Sequence, residues 1–404
     1  MTQEPEHVPV GGPTHARRSS PSRVLTWAVS AVAALAGFGL VYANTVLGQV
    51  DEAFTAIKND DLISAAPNPD SSTSETGDPD PADANSGEAI NILLMGSDVR
   101  SGKNANIGGY FAGMRNDTTI IMHISADRSR VDLVSIPRDA QVDVPKCKLF
   151  NGKTLPAESG DFNIAFSKGG VNGDPGEAAA CVINTVQKMS GLTIDHWAVV
   201  DFAGFEDMID AIGGVPMCIP QKVVSKKARL NLEAGPQVLN GKQALALARM
   251  RTAEVGDVSG SDLQRIGRQH DILKQVSRVV LSKNLLTDAG ELTLFLKAVA
   301  SSLTMNPELA DSKYLLGLAF SLRSIDPNAI KFHTVPWKYT EDFLNVTLTK
   351  NADIMWAQLR KDKPLTKVGD SSAGDAWDEA NETSSAPVPT STDVTEALLD
   401  ECAA

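Results

Sequence analysis

The sequence predicts an α/β protein: a single α-β-α layered domain in which helices cover a mixed, partly antiparallel central sheet. Short runs rich in apolar and β-branched residues, typical of buried strands, alternate with longer segments that have helical spacing of apolar residues. The second and third of these runs are joined only by Ser125–Arg130, which is short enough for a hairpin, so part of the sheet must be antiparallel. The 404 residues, 42% of them hydrophobic, are sufficient to build such a core.

The predicted elements follow one another along the chain. Strands are expected at Ile90–Met95, Thr118–Ile124, Val131–Ile136, Trp197–Val200, Val215–Ile219 and Lys331–Val335. Helices are expected at Glu177–Met189, Gly204–Ile212, Lys242–Arg249, Asp262–Leu281 and Leu292–Leu303. The helix that begins at Asp262 has a clear N-terminal signal, because Ser261 and Gln264 have the spacing of a capping box.

An uncharged segment near the N-terminus predicts a membrane anchor. Val24–Tyr42 contains no charged residue, and the uncharged run continues to Val50. This length is enough for one transmembrane helix and exceeds the apolar region of a cleaved signal peptide. Three arginines precede the run and two carboxylates follow it, so the positive-inside rule places the domain outside the cell. The predicted division is a cytoplasmic N-terminus at 1–23, a transmembrane helix at 24–46 and an extracellular remainder.

Two acidic segments flank the predicted domain. Residues 59–88 contain four Pro and eight Asp or Glu but no Lys or Arg, so they cannot bury enough apolar surface to fold alone. We therefore expect an acidic disordered linker at 51–88, a folded domain at 89–367 and an acidic flexible tail at 368–404. The net charge of −13 argues against a general nucleic-acid binder, which would need a basic surface.

Four cysteines lie on the predicted outer side of the membrane, at Cys147, Cys181, Cys218 and Cys402. An even number of cysteines in an oxidising compartment predicts two disulfides. Of the three pairings, we favour Cys147 with Cys181 and Cys218 with Cys402, because the second pair would explain a lone cysteine at the end of the tail. Zinc binding is disfavoured, since the spacing provides no CxxC pair and no nearby His.

Charged residues stand at the ends of three predicted strands. Asp98 follows the first strand, Arg115 and Asp117 lead into the second, and Arg138 and Asp139 follow the third. Strand ends that meet loops are where α/β sheets build binding sites. Carboxylates beside guanidinium groups suit a cation together with a phosphate. The alternative is a set of surface ion pairs.

The helix predicted from Asp262 points polar groups towards the interior. Arg265 and Gln269 lie on its apolar face. A buried guanidinium near a helix N-terminus needs a negative partner, which is either a carboxylate of the protein or a bound phosphate. Arg249 and Arg251, near the end of the preceding helix, add positive charge to the same region.

Six short motifs occur in order between residues 89 and 337. They are Asn91–Asp98, Arg115–Thr118, Ser135–Asp139, Asp161–Phe166 with Gly169 and Gly170, Asp201–Phe205 with Gly213–Val215, and Ala248–Arg251 with Asp262–Gln269. Together they resemble the LytR-CpsA-Psr (LCP) family of phosphotransferases of Gram-positive cell envelopes, and the resemblance implies an actinobacterial member.

The resemblance implies a function. Members transfer a glycan from a polyprenyl-pyrophosphate carrier onto an acceptor hydroxyl of peptidoglycan or of a surface glycoprotein, and release polyprenyl phosphate. It implies an Mg²⁺-dependent enzyme in the cell membrane, with pyrophosphatase as a side activity and no nucleic-acid partner. The alternative is a non-catalytic scaffold or envelope sensor that only binds polyprenyl pyrophosphate.

Matching motif positions also imply residue roles. Asp98 and Asp117 would hold Mg²⁺ and, with Arg138 and Arg265, form the catalytic set; either carboxylate could accept the acceptor's proton. The pyrophosphate ligands would be Arg115, Arg138, Arg249, Arg251, Arg265, Arg268 and Gln269. A metal with several arginines neutralises the charge that develops as a pyrophosphate bond breaks. Leu292–Leu303 and Tyr314–Leu322 could line a slot for the lipid tail, although core packing explains these residues equally well.

Overall fold

The structure, a computed structural model, describes residues 54–64, 83–98, 114–256, 262–282 and 303–365. The predicted cytoplasmic segment, the predicted anchor at 24–46 and the predicted tail at 368–404 lie outside these ranges. Among the described helices, none combines the length and the apolar character needed to cross a membrane.

The elements are numbered in chain order. The strands are β1 (Thr55–Ala56), β2 (Ile90–Ser97), β3 (Asn116–Ile124), β4 (Val131–Ile136), β5 (Gln141–Val144), β6 (Cys147–Lys148), β7 (Thr154–Leu155), β8 (Glu158–Asp161), β9 (His196–Val200), β10 (Val215–Ile219), β11 (Val223–Ser225), β12 (Leu230–Leu232), β13 (Gly235–Leu239), β14 (Leu303–Met305), β15 (Ile330–Thr334), β16 (Trp337–Tyr339) and β17 (Val346–Leu348). The α-helices are α1 (Ile164–Gly169), α2 (Pro175–Ser190), α3 (Phe202–Ala211), α4 (Gly241–Arg249), α5 (Asp262–Ser282), α6 (Ser312–Ser321) and α7 (Lys350–Leu359).

A seven-stranded mixed sheet in the order β1-β14-β9-β2-β3-β4-β15 forms the centre of the domain. β2, β3 and β4 are antiparallel neighbours, whereas β9 runs parallel to β2 and β15 runs parallel to β4. The C-terminal ends of β2, β4, β9 and β15 therefore meet the start of β3 at one end of the sheet, called the site end below. The predicted α/β class with a mixed sheet is confirmed.

Apolar residues cover both faces of the sheet. Leu93 packs in a cluster with residues of α2 and α7, whereas its neighbour Ile92 packs in a second cluster that includes α6. Successive side chains of a strand point to opposite faces, so both faces of β2 are buried. This explains why the central strands appear in the sequence as continuous apolar runs rather than alternating ones.

Most of the predicted elements are present, and some have the predicted bounds, such as β4 and β10. The strands of two to four residues and the five-residue β13 were missed, because so short a segment carries little periodicity. The helix predicted at Leu292–Leu303 is wrong at the residue that the structure describes, since Leu303 begins β14. Its remaining residues lie outside the described ranges.

Residues 54–64 were expected to lie in the disordered linker, but the structure places them in the folded domain. β1 pairs with β14 in the sheet. Asn59 is buried, its Nδ2 donates to the carbonyl of Gly176 at 2.8 Å, and its Oδ1 accepts from the indole of Trp197 at 3.0 Å. Residues 83–88 are also held, because Arg128 in the β3–β4 turn donates to Asp83 at 2.6 Å. Of the predicted linker at 51–88, residues 51–53 and 65–82 lie outside the described ranges.

One of the two predicted disulfides is observed. Cys147 of β6 is bonded to Cys181 of α2, with their Cα atoms 5.3 Å apart. The bond links a peripheral hairpin to a helix of the core. Cys402 lies outside the described residues, so the pairing of Cys218 with Cys402 stays a prediction.

Helix α5 contacts the sheet through a buried histidine. The Nε2 atom of His270 lies 2.7 Å from the hydroxyl of Ser135 in β4, and its ring packs at a tilt against Phe332 of β15, with 5.4 Å between centroids. Burial lowers the pKa of His270 to about 4, and the nearby His333 acts in the same direction. His270 is therefore neutral in the folded protein at pH 7.

We expect His270 to make the domain sensitive to acid. An unfolded chain binds the proton with a pKa of about 6.5, so stability that is present above this pH is lost as the pH falls towards 4. The loss from this group is about 3 kcal/mol at most. Urea unfolding of wild type and His270→Gln between pH 7.5 and 4.5 should show a shallower pH dependence for the variant. Equal slopes would contradict this assignment. The other buried histidines are present in both proteins, so their contributions to the pH dependence cancel in the comparison.

Candidate functional site

The charged residues predicted at the strand ends meet at the site end of the sheet. Asp98 directly follows β2, Arg115 directly precedes β3, and Arg138 lies two residues after β4. Asp98 and Arg115 are joined by two hydrogen bonds, in which each residue donates to the other. The amide of Asp98 donates to the carbonyl of Arg115 at 2.9 Å, and the amide of Arg115 donates to Oδ1 of Asp98 at 3.0 Å. This pairing fixes Asp98 beside the start of β3.

Asp117, the second residue of β3, lies among three arginines. Its Oδ1 accepts from Nη1 of Arg138 at 2.6 Å and is 3.9 Å from Nη2 of Arg251. Burial alone would raise the pKa of Asp117, but the charges of Arg138, Arg265 and Arg251 outweigh it and bring the pKa below its ordinary 3.8. The carboxylate is therefore ionised at neutral pH.

Arg265 supplies a buried positive charge to the same cluster. It lies in the first turn of α5 and is 3% exposed. Burial lowers its pKa to about 10, with Arg138 and Arg251 acting in the same direction and Asp117 opposing them. The guanidinium thus stays charged at pH 7. With Asp139, which lies 3.2 Å from Arg138 Nε, the cluster holds three arginines and two aspartates, a surplus of 3 − 2 = 1 positive charge. Such a surplus favours an anionic ligand.

Arg249, the last residue of α4, is positioned by an aromatic ring. Its guanidinium carbon lies 3.7 Å from the centroid of Phe202. Phe202 opens α3 directly after β9, and Asp201 caps this helix by accepting from the amide of Gly204 at 2.8 Å. Because β9 runs parallel to β2, the ring is at the site end. The sequence alone assigned no role to the motif Asp201–Phe205. The cation-π contact indicates that Phe202 of this motif positions Arg249.

The motif Asp161–Phe166 holds the backbone around Arg138 in place. The amide of Phe162 donates to the carbonyl of Ala140 at 2.8 Å, and the amide of Asn163 donates to the carbonyl of Arg138 at 3.0 Å. Phe162 itself is fully buried in the core. The motif therefore fixes the backbone that carries the arginine, a role that spacing alone did not reveal.

Two of the predicted ligands bind the protein's own backbone. Arg268 is buried, and its Nε and Nη2 donate to the carbonyls of Leu247 and Met250 at 3.3 and 2.5 Å. These carbonyls lie at the C-terminal end of α4, where helix groups lack internal partners. Gln269 makes a longer contact of 3.4 Å with the carbonyl of Ala248. Arg268, expected among the pyrophosphate ligands, thus holds the Arg249 segment in place instead.

We expect Arg268→Met to lower the free energy of unfolding by about 1.5–3 kcal/mol, since it leaves buried carbonyls without their charged donor. Arg251→Met, at an exposed arginine, should change it by about 0.5 kcal/mol or less. Urea unfolding at neutral pH measures both. An Arg268→Met protein of unchanged stability that no longer bound a pyrophosphate ligand would return Arg268 to the ligand set.

Asp98 and Asp117 are the residues that could hold a divalent cation. Mg²⁺ prefers oxygen ligands and commonly uses one or two carboxylates together with water and substrate phosphates. The hydrogen bond from Arg138 and the ion pair with Arg251 both use Oδ1 of Asp117, so Oδ2 is the oxygen that would meet a cation. The described ranges contain no group of three or more His, Cys, Asp or Glu side chains that could form a complete protein site. A cation held by Asp98 and Asp117 would therefore take its remaining ligands from water and from a phosphate group.

Sequence comparison identifies relatives of the chain. The family model described as "LytR_cpsA_psr family" matches residues 54–363. The cell wall biosynthesis protein LcpA of Corynebacterium glutamicum is 29% identical over 267 residues, which cover 61% of this chain and 50% of that protein. The polyisoprenyl-teichoic acid–peptidoglycan teichoic acid transferase TagU of Oceanobacillus iheyensis is 32% identical over 205 residues, covering 51% and 56%. The chain spans about half the length of these curated relatives.

Solved structures share the fold. A LytR-Csp2A-Psr enzyme from Actinomyces oris matches with a TM-score of 0.52 and 19% identity, covering 76% of this chain and 95% of that one. The protein gbs0355 from Streptococcus agalactiae matches with a TM-score of 0.53 and 21% identity, covering 73% and 96%. At these identities the likeness concerns the fold alone. The match of the family model over most of the described domain shows that this chain belongs to the LytR-CpsA-Psr family.

Proposed function

We propose that the protein is a cell-envelope glycopolymer phosphotransferase. It moves a glycan from a polyprenyl-pyrophosphate carrier onto an acceptor hydroxyl of peptidoglycan or of a surface glycoprotein and releases polyprenyl phosphate. The observation that carries this proposal is the Asp117 carboxylate with Arg138 at 2.6 Å and with the buried Arg265 near enough to lower its pKa. A relative whose name specifies transfer of teichoic acid to peptidoglycan supports it.

The reaction exchanges one phosphorus–oxygen bond for another. The acceptor hydroxyl attacks the phosphorus that carries the glycan, the bond from this phosphorus to the bridging oxygen breaks, and the glycan becomes joined to the acceptor through a phosphodiester. Polyprenyl phosphate departs with the electron pair of the broken bond. Negative charge builds on the bridging oxygen during this step, and fixed guanidinium groups in a partly buried site stabilise it. Arg138 and Arg265 are placed to do this, with Arg115, Arg249 and Arg251 as further donors.

Mg²⁺ is the cofactor that this proposal includes. Asp98 and Asp117 would hold it, and when bound it would neutralise charge on the pyrophosphate. The proton of the acceptor hydroxyl passes to a carboxylate, for which Asp98 and Asp117 are both candidates. Hydrolysis with water as acceptor would be a side activity of the same site.

The proposal includes a location. The uncharged run at 24–46 would anchor the protein in the cell membrane by a single span, with the N-terminus cytoplasmic and the domain of residues 54–365 extracellular. The disulfide between Cys147 and Cys181 supports an oxidising compartment.

Transfer to an acceptor tests this function. The full-length protein is incubated with a radiolabelled polyprenyl-pyrophosphate glycan and either purified peptidoglycan or a surface glycoprotein fraction, with Mg²⁺ or with a chelator. We expect label on one acceptor through a phosphodiester, and little label with the chelator. Tight binding of the carrier without any bond cleavage would support the non-catalytic scaffold instead. Label released as free glycan phosphate would indicate a pyrophosphatase.

A further inference from the structure

The hairpin of β16 and β17 carries the most exposed large apolar side chains of the described residues. Phe343 is 74% exposed and Leu344 is 76% exposed, and both lie in the turn between the two strands. Tyr339, at the end of β16, is partly exposed and contacts the ring of Phe343, with 5.7 Å between centroids. These three side chains, called the apolar turn below, form a small patch open to the surroundings.

Hydrogen bonds fix the shape of this turn. The hydroxyl of Thr340 and the amide of Leu344 both donate to Oδ1 of Asp342, at 2.5 and 3.1 Å. Asn345 closes the turn through its amide, which donates to the hydroxyl of Thr340 at 3.1 Å. Phe343 has a φ of 58°, a left-handed conformation that an aromatic residue adopts at a cost. A bulky ring held in strained backbone and left exposed indicates a role outside core packing.

The apolar turn borders the candidate site. β15 ends at the site end of the sheet, and β16 follows it after two residues. The amide of Val346 donates to the carbonyl of Asp139 at 3.2 Å, and Val346 forms a parallel bridge with Ala140. Because the bridge is parallel, the residues before Val346 lie on the side of Asp139 and Arg138.

The N-terminal segment enters the domain at the same end of the sheet. β1 is parallel to β14, which is antiparallel to β9, and β9 is parallel to β2. β1 therefore runs opposite to β2, and Phe54, directly before it, lies at the site end. The uncharged run of the sequence ends at Val50, four residues earlier. Four extended residues span at most about 14 Å.

We propose that the apolar turn inserts into the outer surface of the lipid bilayer and holds the site end against the membrane that contains the lipid carrier. The proposal rests on the proposed membrane anchor. The bilayer is the partner that this turn would meet, because the proposed anchor ends at Val50 and the short connection to Phe54 keeps this end of the domain close to lipid. The flanking charges cancel, with Lys338 and Lys350 against Glu341 and Asp342. Insertion is thus driven by the apolar side chains rather than by charge. The apolar turn has a small area, and the anchor compensates for this by keeping the turn at high local concentration beside the bilayer.

Photo-crosslinking to lipid tests the insertion without requiring catalysis. The full-length protein carries p-benzoylphenylalanine at Phe343, or at Ser129 in the turn at the opposite end of the sheet, and is reconstituted in vesicles of phosphatidylcholine and phosphatidylglycerol. Ser129 is an exposed residue and serves as the control. We expect lipid adducts at position 343 and few at position 129. Equal yields at both positions, adducts at neither, or adducts to a second protein copy alone would overturn the proposal.

A polar double variant provides a second test. Asn tolerates left-handed backbone, so Phe343→Asn with Leu344→Gln removes the apolar side chains and leaves the turn able to form. We expect this variant to cleave the carrier about tenfold more slowly than wild type in vesicles, with equal rates in detergent, because only the positioning at the bilayer is lost. Equal rates in vesicles would count against the proposal. If wild type cleaves in neither medium, the proposed function fails while the crosslinking result stands by itself.

Discussion

Replacing Arg138 with alanine is expected to slow cleavage of the pyrophosphate by about 10³-fold. Arg138 donates to Asp117 at 2.6 Å and is held by the backbone contacts of Asn163 and by Asp139. Its guanidinium is therefore oriented before the substrate binds, and such preorganised charge stabilises a transition state at little cost of reorganisation.

A graded set of variants measures this effect. Single-turnover rates are compared for wild type, Arg138→Lys and Arg138→Ala, with Arg323→Ala as the control for loss of an exposed arginine after α6. Lysine keeps the charge but loses the forked donor geometry, so the cleavage rate of Arg138→Lys should lie between those of wild type and Arg138→Ala. An Arg138→Ala protein that cleaves at the wild-type rate would remove Arg138 from the site.

Asp117→Asn is expected to lower the cleavage rate by about 10²–10³-fold and to weaken its dependence on Mg²⁺. The change removes one of the two carboxylates that could hold the cation. It also leaves Arg138, Arg251 and Arg265 without the negative charge that offsets their repulsion. Rates measured across a Mg²⁺ titration, with Asp139→Asn as a neighbouring-carboxylate control, separate these effects. An unchanged Mg²⁺ dependence in Asp117→Asn would contradict the metal assignment.

The same variant should change how stability depends on pH. Because the pKa of Asp117 is lower in the folded protein than its ordinary 3.8, its contribution to stability is present above pH 4. That contribution is lost as the pH falls through the folded pKa. Wild type should therefore be more stable than Asp117→Asn at pH 7, and the difference should shrink below pH 4. Urea midpoints at pH 7 and in acid would show this, and a constant difference would argue against an ionised Asp117.

Much of the fold could be predicted from local signals. The central strands are buried on both faces, so their apolar runs stand out, and β4 was predicted to the residue. The segment at 54–64 was missed for the opposite reason. Its strand has two residues, pairs with Thr304 and Met305 far along the chain, and adjoins the acidic pair Asp60 and Asp61. Its place in the sheet depends on long-range pairing that no local window contains.

The site could be predicted only in part. Motif positions indicated Asp98, Asp117 and Arg138, and the sheet topology brings them together because β2, β3 and β4 are antiparallel. The helical spacing of α5 could not show that Arg265 and Arg268 have different roles. Both are buried, but Arg265 joins the charges around Asp117, whereas Arg268 binds the carbonyls at the end of α4. That difference depends on where α4 ends relative to α5, which is a property of the tertiary structure.

The most direct test of the central claim is release of polyprenyl phosphate from a polyprenyl-pyrophosphate glycan by the full-length protein, with and without Mg²⁺. Wild type and Arg138→Ala are compared at equal carrier occupancy, so that weaker binding is not mistaken for slower chemistry. If the arginine and aspartate cluster performs phosphoryl transfer, wild type releases the monophosphate only with Mg²⁺, and Arg138→Ala releases about 10³-fold less. Carrier that binds tightly to wild type and is recovered intact under both conditions would contradict the claim and leave a binding scaffold.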